Sequence, residues 1–148
     1  MLQLLGSAYL ALFTVPLVAI DIRQRRLPNK ITLPGIAITL LGILLAASWG
    51  KAIWALGCAL LVFSVGTLLS MRGWIGMGDV KLLVPIALTL GWYGPDKLVF
   101  GLTAAFVIAG VVVLIRWLLK KITASSTIAL GPFLLGGFWL ALIPQVWS

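Results

Sequence analysis

The chain has no histidine, no glutamate, one cysteine and three acidic residues among its 148 positions. Each scarcity removes a class of chemistry. Without histidine there is no Ser-His-Asp triad, no Cys-His pair and no HExxH zinc site. Without glutamate there is no Glu-based acid or base. The lone Cys58 excludes an internal disulfide and a Cys-only metal site, and its apolar surroundings read as those of a buried, inert thiol. No cofactor and no metal are expected. The acidic residues that remain are Asp21, Asp79 and Asp96.

What is abundant is apolar. The chain is 62% hydrophobic with a mean hydropathy of +1.20, whereas a soluble domain is typically about half apolar. That excess implies an integral membrane protein, a single domain over residues 1–148. The net charge of +8 sits in short loops between apolar runs, with no basic face interleaved with aromatics. It therefore reads as a positive-inside signal, and nucleic acid is not an expected partner. The first cations, Arg23, Arg25 and Arg26, follow the first apolar run instead of preceding it. This order argues against a cleaved signal peptide and for a retained first span with its N-terminus outside.

Six segments are long and apolar enough to cross a bilayer, at about 2–20, 31–49, 52–70, 79–93, 97–118 and 127–147. Their length and unbroken apolar character predict an all-α bundle of six transmembrane helices instead of alternating barrel strands. The loops after helices one, three and five, with the start of helix four, carry Arg23, Arg25, Arg26, Lys30, Arg72, Lys81, Arg116, Lys120 and Lys121; the other side has Lys51 and Lys97. This asymmetry places the first set in the cytoplasm and both termini outside the cytoplasm. Trp49, Trp54, Trp92, Tyr93 and Trp147 then mark the outer boundary, and Trp74 and Trp117 the inner one, while Trp139 reads as packing. Gly101, Ala105 and Ala109, and Gly137 and Ala141, form small-residue faces that let helices approach. Pro16, Pro85 and Pro132 are expected inside spans, where proline kinks a helix.

Topology brings two of the acids together. Asp21 follows the first span and Asp79 opens the fourth; between them the chain crosses out and back, so both belong to the cytoplasmic end. Asp96 lies 17 residues beyond Asp79, about 25 Å along a helix, and reads as a solvated loop charge. Like charges held close cannot both ionise, so an Asp pair shares a proton near working pH. One member then takes a proton from water while the other donates to a scissile carbonyl. Gly76 and Gly78, flanking Met77, are expected to supply backbone angles other residues avoid and to let a substrate backbone approach. Blander roles remain open at this point: Asp79 as the N-cap of helix four, and Asp21 paired in water with a neighbouring arginine.

The run Asp21-Ile22-Arg23-Gln24-Arg25-Arg26-Leu27-Pro28-Asn29 resembles the first-aspartate region of type IV prepilin peptidases. Gly76-Met77-Gly78-Asp79-Val80-Lys81 resembles their GxGD segment, and Gly131-Pro132-Phe133 a late Gly-Pro-Phe segment. The resemblance implies an intramembrane-type aspartic endopeptidase with Asp21 and Asp79 catalytic. It implies site-shaping or substrate-binding roles for Pro28, Asn29, Gly76, Met77, Gly78, Lys81, Gly131, Pro132 and Phe133. Its implied partners are the lipid bilayer and a prepilin or pilin-like precursor, a single apolar helix with a basic leader, cut at the cytoplasmic face of a prokaryotic inner membrane. Longer members carry an N-terminal region with paired Cys motifs and also methylate the new N-terminus; this chain resembles the short Tad/Flp-type form, and methyltransferase activity is not expected. Two other classes compete: a small ion-coupled transporter using the acids as a cation site, and a non-catalytic scaffold of a pilus or secretion machine.

Overall fold

The computed structural model describes residues 5–24, 29–120 and 129–147, with residues 146 and 147 described through their backbone alone. Arg25, Arg26, Pro28, Lys121 and the Trp147 side chain lie outside the described residues. Those residues form six helices and no strand: α1 (Leu5–Gln24), α2 (Asn29–Leu45), α3 (Trp49–Met71), α4 (Met77–Tyr93), α5 (Pro95–Leu118) and α6 (Gly131–Trp147). The all-α expectation holds. Helices α1, α3 and α5 are long and apolar enough to cross a membrane. Helices α2, α4 and α6 have 17 residues each, about 26 Å of rise, near the lower limit for a span.

Side-chain contacts show α1–α2, α3–α4 and α5–α6 to be antiparallel pairs. Early α1 meets the second half of α2, where Gly6 lies against Thr39; Tyr9 lies against Gly35, and its hydroxyl reaches toward the start of α2 to donate to the Ile31 carbonyl at 2.8 Å. Late α3 meets early α4, where Gly66 lies against Val80. Gly101 and Ala105 of α5 meet Ala141 and Gly137 of α6. A Cβ on Gly137 would strike the Gly101 carbonyl, so the expected small-residue faces are where α5 and α6 approach each other.

Helix α4 is the hub, touching each of the other five helices. From Val80 to Trp92 it is buried at every position except Lys81 and Val84. The outer surface is apolar: Leu60, Leu61, Val107 and Leu114 are all exposed, as suits a surface whose solvent is hydrocarbon.

Helix and hydropathy boundaries differ: α2 stops at Leu45, short of the expected 49, while α1 and α4 run past theirs. Asp21 lies in the last turn of α1 instead of after it, and α4 begins at Met77, two residues before the expected start. A helix continues through polar residues as long as its backbone hydrogen bonds continue, whereas an apolar window stops at the first charge. Pro132 is the second residue of α6 and does not kink a span; first-turn proline loses nothing, because that N–H has no helical acceptor. Trp92, near the C-terminal end of α4, is 6% exposed, with the Lys51 ammonium 6.0 Å from its ring. Trp139 packs edge-on against Phe138 and also donates to the Thr14 hydroxyl at 3.1 Å.

Candidate active site

The loop between α3 and α4 sets the position of Asp79. Helix α3 ends at Met71; the Gly73 N–H reaches the Ser70 carbonyl and the Trp74 N–H the Leu69 carbonyl. This is a Schellman closure, and it requires the left-handed φ of +75° that Gly73 adopts. Two residues later Gly76 caps α4, its carbonyl accepting from the N–H groups of Asp79 and Val80. Asp79 is therefore the third residue of α4 and not its N-cap. Its carboxylate reaches back to the Gly76 N–H, half of a capping box. Gly76 has an ordinary φ of −69°, so the expected unusual backbone angle is not what it supplies. A Cβ there would lie 3.1 Å from Asp79 Oδ2; what matters is the missing side chain.

Asp21 reaches the same end of the bundle from α1. It is 3% exposed, so it is no solvated ion-pair partner. The Gly131 N–H, the first of α6, donates to its Oδ2 at 2.9 Å. A Cβ on Gly131 would fall 2.5 Å from that oxygen and 3.1 Å from Cγ. Close approach of backbone to carboxylate thus requires glycine here. Pro132 and Phe133, both half-buried, complete the first turn of α6.

The two carboxyls are electrostatic neighbours: the charge on Asp21 acts on Asp79. Each also sits at a helix N-terminus, Asp21 at that of α6 and Asp79 at that of α4, where unpaired N–H groups and the helix dipole favour negative charge. Two helix starts thus face two acids. Asp96 is elsewhere, in the first turn of α5, exposed and 3.0 Å from the Lys97 ammonium.

Lys81 and Asn29 also meet. The Lys81 ammonium donates to Asn29 Oδ1 at 2.9 Å, tying α4 to the first residue of α2. Met77 and Gly78 form the start of α4, with Met77 exposed. One polar group escaped the sequence reading. Thr67 Oγ1 of α3 is buried and has no hydrogen-bond partner. Nothing in the sequence separates Thr67 from other span hydroxyls, yet Thr39, Ser64 and Thr89 each donate to the carbonyl four residues back. Among the described residues no group of three or more metal-ligating side chains gathers.

The model of the type IV leader peptidase family matches residues 8–115, a stretch that contains both acids. A prepilin leader peptidase/N-methyltransferase of Aeromonas hydrophila is 32% identical over 94% of this chain and 49% of its own length. The chain thus spans about half the length of the curated relative it matches. No solved structure matches it significantly. The resemblance carried by the Asp21 and Gly76–Asp79 segments is borne out, and the chain belongs to the type IV leader peptidase family.

Proposed function

We propose that this chain is an aspartic endopeptidase that removes the basic leader from a prepilin or pilin-like precursor. The observation that carries the reading is the neighbouring pair Asp21 and Asp79, in a chain that has no histidine or glutamate to do the work instead.

The pair holds one proton between its two carboxyls, because like charges this close resist double ionisation. The ionised carboxyl takes a proton from water as the water oxygen attacks the scissile carbonyl carbon. The protonated carboxyl donates to the carbonyl oxygen. As the tetrahedral intermediate collapses and the C–N bond breaks, the carboxyl that took the water proton gives it to the departing amine. The other carboxyl recovers a proton from the intermediate's hydroxyl, so the pair again holds one proton. Each aspartate has one backbone N–H and one helix N-terminus, so acid and base roles belong to the pair and not to one named member. General acid–base help of this kind contributes about 10²–10⁴-fold.

The proposal includes six crossings in a prokaryotic inner membrane, residues 1–148 acting as one domain, and both termini outside. The acids then face the cytoplasm, where the cationic loops keep them. Leader and mature sequence would meet there at the membrane edge. The step proposed is hydrolysis of the leader peptide bond. The test is incubation of purified protein in vesicles with a pilin precursor, read by mass spectrometry. One cut between leader and helix supports the reading; an intact precursor counts against it.

A further inference from the structure

Helices α2 and α3 are neighbours in sequence but barely touch. Between them lies an apolar groove of about 330 Å³, walled by Ile36 and Leu40 of α2 and Leu60 and Phe63 of α3, and floored by Val84 and Leu88 of α4. Val84 is one of the two positions between Val80 and Trp92 that α4 leaves unburied; the other is Lys81. The groove is therefore continuous with the helix that carries Asp79.

All three walls change character at the same end. Asn29 is seven residues before Ile36, Lys81 seven before Leu88, and Thr67 seven after Leu60. Seven residues is about two helical turns, so each of these residues shares a face with the groove-lining residue it precedes or follows. The Lys81–Asn29 hydrogen bond joins α4 to α2 two turns before the lining residues Leu88 and Ile36. On the α3 side, two turns past Leu60, is Thr67, whose buried hydroxyl has no hydrogen-bond partner. Pro85, with no N–H, also deprives the Lys81 carbonyl of its helical donor. An unpartnered hydroxyl two turns beyond Leu60 thus follows an otherwise apolar slot. That combination suits a peptide which is helical and apolar along the slot and extended, with its backbone groups free, beyond it.

Asp79 and Lys81 are two residues apart and so point to opposite sides of α4. A chain leaving the groove reaches the acids by crossing the first turn of that helix. Gly76 and Gly78 leave this turn without side chains on either side of Met77.

We propose that the α2–α3 groove seats the apolar helix of the leader-bearing precursor, and that the Thr67 hydroxyl binds the precursor backbone where the helix gives way to the leader. This rests on the peptidase reading above. Leu60 and Leu56 are exposed, so Leu60→Trp and Leu56→Trp fill the slot without disturbing the core. Each should raise KM for a full-length precursor by about tenfold with kcat unchanged, and Thr67→Val should do so as well. A photoreactive p-benzoyl-phenylalanine at Leu60 should crosslink to precursor, while one at the exposed Val107 of α5 should not. If wild type cuts the precursor while these variants keep its KM, or if the Leu60 probe captures only lipid or a second copy of the chain, the groove assignment is wrong and the peptidase reading stands. If wild type does not cut, the peptidase reading fails, and the crosslink alone decides what the groove holds.

Discussion

The Gly131 amide donates to Asp21 Oδ2 at 2.9 Å across 110 positions of sequence. The start of the last helix thus positions an acid at the end of the first. Asp79 is held in the same manner but locally, by the N–H of Gly76.

The two glycines should respond differently to alanine. At Gly131 the added Cβ would press on Asp21 Oδ2 at 2.5 Å, so the carboxylate must leave its amide. Loss of a hydrogen bond to a charged group costs about 1.5–3 kcal/mol. Gly131→Ala should lower kcat about 10- to 100-fold with KM little changed. At Gly76 the approach is 3.1 Å, which a small shift relieves. Gly76→Ala should lose less than tenfold. Steady-state kinetics on one precursor ranks the two.

The rate should rise and then fall with pH. At low pH both carboxyls are protonated and no base remains; at high pH both are ionised and no acid remains. The two apparent pKa values read from kcat/KM belong to the pair. A rate that climbs monotonically with pH would point to a single titrating base.

The α5–α6 contact should tolerate no side chain at Gly137, where a Cβ meets the Gly101 carbonyl and Ala105. Gly137→Leu should destabilise the protein by about 1–3 kcal/mol, read as a lower Tm in detergent. Gly110 of α5 has open space where its Cβ would be. Gly110→Ala should be neutral or gain up to about 1 kcal/mol. Equal effects at both positions would contradict the packing described.

The Lys81–Asn29 bond is exposed and should contribute little to stability, about 1 kcal/mol or less. Asn29→Ala should leave Tm nearly unchanged. Any loss of activity then reports on substrate handling instead of on folding.

Much of this was legible in the sequence. Apolar runs separated by cationic loops mark out six helices, and the parity of crossings is enough to bring Asp21 and Asp79 to one end. Residues with the same composition but different neighbours were harder to read. Pro132 looks like Pro85 in a hydropathy plot, yet one opens a helix and the other lies within one. The Gly76-Met77-Gly78 pattern suggests an unusual backbone, yet Gly76 has an ordinary φ and needs only to lack a side chain. Thr67 resembles Thr89 until the helix is built, when one hydroxyl returns to its own backbone and the other does not. The Gly131–Asp21 bond joins residues too distant in sequence for any local pattern to reveal.

The most direct measurement takes wild type, Asp21→Asn and Asp79→Asn, each confirmed at equal abundance in the membrane, and follows a co-expressed pilin precursor by mass spectrometry. The account predicts a trimmed product with wild type and full-length precursor with each variant. Trimming at the normal rate by either variant would contradict it.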